Sequence, residues 1–182
     1  MFYGVDLDRL RSIPGSKDLK IFDAVNAHKS NRLDDEHQDA LKRIINGDVK
    51  TEPKPYVYGY TLKAICECIG ELIGCDVPAI RDHPYKSKLV ANGPPIEIPV
   101  DKTNFPEIGY LAKSDLEGEL RLVTTTKPKA KRTLVGLVLR KATGGAFGHE
   151  PDAEEIAEEM AEYAETLQKC IDKGLSVVSF RH

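Results

Sequence analysis

Ala153, Ile156, Ala157, Met160, Ala164, Leu167 and Ile171 form one apolar stripe at helical spacing, and Gly174 and the apolar run "LSVVSF" follow it directly. A long helix with one apolar side must bury that side against a layer, and the strand-like run behind it supplies part of one. Acidic residues load the first half of this helix, Lys169 and Lys173 stand near its end, and Gly174 stops it, all in the sense that the helix dipole favours.

The N-terminal run "FYGVDL" predicts a strand, and Asp6 can cap a short helix that Pro14-Gly15 ends. Ser16 offers a cap for a second helix over Lys17 to about His28, where Leu19, Phe22 and Val25 recur. A third runs from Leu33 to Asn46 on Leu33, Ala40, Leu41, Ile44 and Ile45, up to Gly47. Residues 1–50 are therefore mainly helical. After the prolines of "DVKTEPKP", the spacing predicts a helix from about Tyr58 to Ile73. The proline-rich middle predicts mostly loop, with "IEIPV" and "IGYLA" as short strands. "SDLE" reads as a capping box, Ser114 with Glu117, opening a helix through about Val123. "RTLVGLVLRK", Arg132 to Lys141, reads as a buried strand and "ATGGAFGHEP" as a connection, so that 124–150 is an insertion or flexible segment. The sum is a single α+β domain over 1–182. It has a short mixed or antiparallel sheet packed by several helices, with a long amphipathic C-terminal helix followed by a terminal strand.

At 182 residues, with 41% hydrophobic and 30% charged, the chain can bury a core without covalent staples. A net charge of −3 gives no global pull toward nucleic acid or an anionic membrane. The one basic patch, Lys127, Lys129, Lys131 and Arg132, lacks nearby aromatics for base stacking and reads as a solvated loop. No segment approaches the roughly 18 apolar residues of a membrane span, and the N-terminus lacks the apolar run of a signal peptide. A cytoplasmic protein is expected, with neither nucleic acid nor membrane as partner.

"YVYGYTLKAICECIGELIGC" sets three cysteines close together, and Cys170 lies on the last helix, which is not a disulfide framework. On a continuous helix Cys66 lies with Leu62, Ile65, Ile69 and Ile73, and Cys68 is turned about 160° from it. Cys68 and Cys75 share an azimuth but stand roughly 10 Å apart along the axis. They cannot enclose one ion, so these thiols are expected to pack; no metal site and no cofactor is expected.

Tyr56, Tyr58 and Tyr60 alternate with Val57 and Gly59, so an extended segment would present all three rings on one face to a ligand or partner. His37, between Leu33 and Leu41, is a candidate acid or base if a cleft opens there, and otherwise a hydrogen-bonded core residue. His83, beside Pro84, reaches a site only through the fold; His149 and His182 have ordinary exposed readings. "TGGAFGHE" has neither the spacing nor the Lys-Ser or Lys-Thr pair of a phosphate loop, and acids open the helix behind it.

"FPEIGYLAKSDLEGEL", Phe105 to Leu120, and "YAETLQKCIDKGLSVVSFRH", Tyr163 to His182, resemble parts of the bacterial YfbM-like domains of unknown function. "YVYGYTLKAICECIGELI" is similar to the central helix of one group of their uncharacterised relatives. The resemblance implies an aromatic-Leu pair before a capped helix, and a long amphipathic helix, a glycine and a short hydrophobic strand at the end. It implies no catalytic residue, and "TTTKPKAKRTLVGLVLRKATGGAFGH" departs from it as an insertion.

Two functional classes follow. The first is a protein-binding module of immunity or regulatory type, whose acidic helix face from Glu154 to Glu165 and tyrosine row meet another protein. The second is a small-molecule binder or enzyme with a cleft near Tyr58, His37 and His83. The first is preferred, because no paired acids, ligand cluster or nucleophile setting is legible.

Overall fold

The computed structural model describes residues 1–28, 33–50, 54–74, 89, 92–99, 106–127 and 153–181. Four described strands form one antiparallel sheet: β1 (Phe2–Val5), β2 (Glu71–Gly74), β3 (Glu107–Leu111) and β4 (Ser176–Arg181), in the order β2-β1-β4-β3. The first and last of them are thus its central pair. Tyr3 lies opposite Val178 and Gly4 opposite Val177, and the backbone of Met1 extends this ladder by exchanging two bonds with Phe180.

Side-chain alternation sends the residues of β1, β3 and β4 to two apolar layers. Tyr3, Val5, Ile108, Val178 and Phe180 enter one core; Phe2, Leu111 and Val177 enter the other. Apolar residues on both sides of β1 and β4 are what a sheet covered on both faces requires. The first core is closed by α1 (Leu7–Arg11), α2 (Leu19–Ala27), α3 (Asp35–Asn46) and α4 (Pro55–Ile69), which contribute Leu10, Val25, Ile44 and Leu62 among others. The second is closed by α5 (Lys113–Thr125) and α6 (Ala153–Lys173) through Leu116, Val123, Ile156, Met160, Tyr163 and Leu167. No described helix is long and apolar enough to cross a membrane.

Local chemistry sets the ends. Asp6 caps α1 by accepting from the backbone of Asp8 and Arg9, and Gly47 and Gly174, both left-handed, follow α3 and α6. The α2 cap is Asp18, not Ser16, whose hydroxyl instead accepts from the Asp18 backbone. The capping box at Ser114 does not form: Ala112 is the N-cap position of α5, and the free Lys113 N–H donates to Ser176 Oγ of β4 at 3.1 Å. An N–H at the start of one element is thereby satisfied by another.

The helix expected from Tyr58 to Ile73 begins earlier, at Pro55, and stops at Ile69. Gly70 lets the chain turn into β2, since a Cβ there would come within 2.5 Å of the Gly4 carbonyl oxygen and 2.6 Å of Val5 Cγ1. "IEIPV" is not a strand over its described residues Ile96 to Pro99. Residues just before it lie against β3 and α1. Asn92 Nδ2 donates to the Tyr110 carbonyl at 2.9 Å, and Arg11 Nε donates to the Pro95 carbonyl while its guanidinium covers the Tyr110 ring. A Cβ on Gly109 would fall 1.8 Å from the Leu89 carbonyl oxygen, so the chain passes directly over that glycine. The expectations for 132–141, for the connection after it, for Cys75 and for His83, His149 and His182 lie outside the described residues.

Candidate functional site

The three tyrosines do not form a row. Starting the helix at Pro55 puts Tyr56, Tyr58 and Tyr60 on α4, where two residues turn a side chain about 160° the shorter way round. Tyr58 therefore points into the core, fully buried, with its hydroxyl accepting from the Lys50 backbone N–H at 3.4 Å. Tyr56 and Tyr60 are only half-buried and share the opposite side.

Tyr60 meets His37 there, edge-on, with ring centroids 6.3 Å apart. Asp34 Oδ1, the cap of α3, accepts from both the His37 backbone N–H at 2.9 Å and imidazole Nδ1 at 2.6 Å. These two bonds, backbone first, hold the Asp34 carboxyl below the usual carboxylate range. An imidazole fixed through Nδ1 keeps Nε2 for proton exchange, so the pair has the orientation that general acid–base chemistry needs. The structure thus unites His37 with Tyr60 and Asp34, and separates them from the buried Tyr58.

The outer side of α6 is the second locus. Its inner stripe is spent on the core, with Ile156, Met160, Tyr163, Leu167 and Cys170 buried. Ala157, Glu158, Ala161, Glu162 and Glu165 face outward and exposed. Toward the C-terminal end the charges are matched: Lys169 pairs with Glu165 at 3.0 Å, Gln168 donates to Asp172 at 2.8 Å, and Lys173 pairs with Glu71 of β2. Glu158 and Glu162, one turn apart, have no ion pair among the described residues.

Two polar clusters escaped sequence reasoning. Tyr3 donates to Glu67 Oε1 at 2.7 Å, and Lys63 donates to the same oxygen at 2.8 Å. The Lys63–Glu67 spacing was visible in the sequence, whereas Tyr3 arrives only through the fold. Glu119 is buried between α5 and α6 and accepts from the Tyr163 hydroxyl at 3.3 Å. Its signal was an acid three residues after Leu116 and four before Val123, on the apolar side of the helix.

Among the described thiols Cys66 and Cys170 pack, as expected, and Cys68 lies partly buried against the first core. Cys66 and Cys170 are buried in different cores, and Cys66, Cys68 and Cys170 are unpaired. Burial pushes the Cys170 thiol up to about 11 and raises those of Cys66 and Cys68 as well, the opposite of what a reactive thiolate needs. Among the described residues no group of three His, Cys, Asp or Glu side chains could hold a metal ion.

Fold and loci together define a mixed α+β domain, an antiparallel sheet clothed by helices on both faces. The chain belongs to the DUF7691 family, a domain of unknown function whose model matches residues 1–182. No curated protein and no solved structure matches the chain.

Proposed function

We propose that the protein is a protein-binding module of immunity or regulatory type that receives a basic partner on the outer side of α6. The observation that supports this is the exposed Glu158–Glu162 couple, without an ion pair among the described residues and set beside Ala157 and Ala161, which leave the carboxylates accessible. Like charges one turn apart cost a helix about 0.2–0.5 kcal/mol, and a cationic partner converts that cost into binding. The same surface repels nucleic-acid phosphates. A cytoplasmic setting, which keeps thiols reduced, suits the free Cys66, Cys68 and Cys170.

The test is affinity capture from host lysate with the wild-type chain and a Glu158→Gln, Glu162→Gln variant, each also checked for stability. The expected result is a salt-sensitive partner that the variant loses while folding at least as stably as wild type. Capture that is equal for both, or no capture at all, overturns the reading.

The Asp34–His37 pair supports the second reading, a small-molecule site, now centred on His37 and Tyr60 rather than Tyr58. A metabolite that raises the melting temperature of wild type and equally that of His37→Gln would exclude this locus.

A further inference from the structure

We draw no further inference here: the strongest candidate, the outer edge of β2 with its exposed Leu72 at the rim of the sheet, carries no proposal because nothing in the structure shows what covers it.

Discussion

Tyr58 and Tyr60 are the same residue type two positions apart, yet one fills the core and the other borders the surface. Truncating a large buried ring costs about 3–5 kcal/mol, so Tyr58→Ala is expected to lose that much, and Tyr60→Ala less than about half of it. Urea midpoints check the pair; equal losses would contradict the helical placement of both. The thiols offer a second measurement at this scale. Alkylation needs both a thiolate and access, so timed iodoacetamide labelling at pH 8 should modify Cys68 before Cys66 and Cys170. Early labelling of Cys170 would show that α6 lifts from its core readily.

Ser176 takes the capping role that the sequence suggests for Ser114. Ser114 has the spacing of a capping box, but the cap hydroxyl comes from Ser176 on a strand distant in sequence. Ser176→Ala should therefore cost about 1 kcal/mol and Ser114→Ala less than about 0.5 kcal/mol, read from chemical denaturation. The reverse order would restore the local cap. Most elements were legible because their signals are local: the α6 stripe, the Asp6 cap, and the glycines after α3 and α6. What escaped depends on contacts between distant residues. Nothing near Gly70 announces that the Gly4 carbonyl will exclude a side chain there, so the run "CIGELI" read as unbroken helix. The site suffered more for the same reason. Alternating tyrosines are visible in any sequence, but a shared face needs an extended chain, and a helix that starts at either Pro55 or Tyr58 sets Tyr58 and Tyr60 about 160° apart. The Asp34–His37 couple was available locally, as a cap residue followed three positions later by a group that reaches back to it.

At the scale of the whole molecule, Tyr3, Cys66 and Cys170 all hold their protons more tightly folded than unfolded, chiefly through burial. Above the free thiol value of about 8.5 the unfolded chain releases protons first and gains stability relative to the native state. Stability should thus be fully present below about pH 8 and fall as pH rises; the Cys170 contribution is exhausted near pH 11, and those of Cys66 and Tyr3 extend further. Urea unfolding at pH 7, 9 and 10 would show the decline, with a shallower slope for Cys66→Ala, Cys170→Ala; a flat profile would contradict it. The order β2-β1-β4-β3 also bears on how the chain is made. On the ribosome, β1, β2 and β3 emerge before β4, so the gap at the middle of the sheet stays open until residues 176–181 leave the exit tunnel. Through that interval β1 and β3 each present an unpaired edge to the same gap, the arrangement most open to pairing with a neighbouring chain. The last of the four described strands is the one that removes both edges at once, so a chain stalled within α6 would remain a sticky intermediate for chaperones to shield.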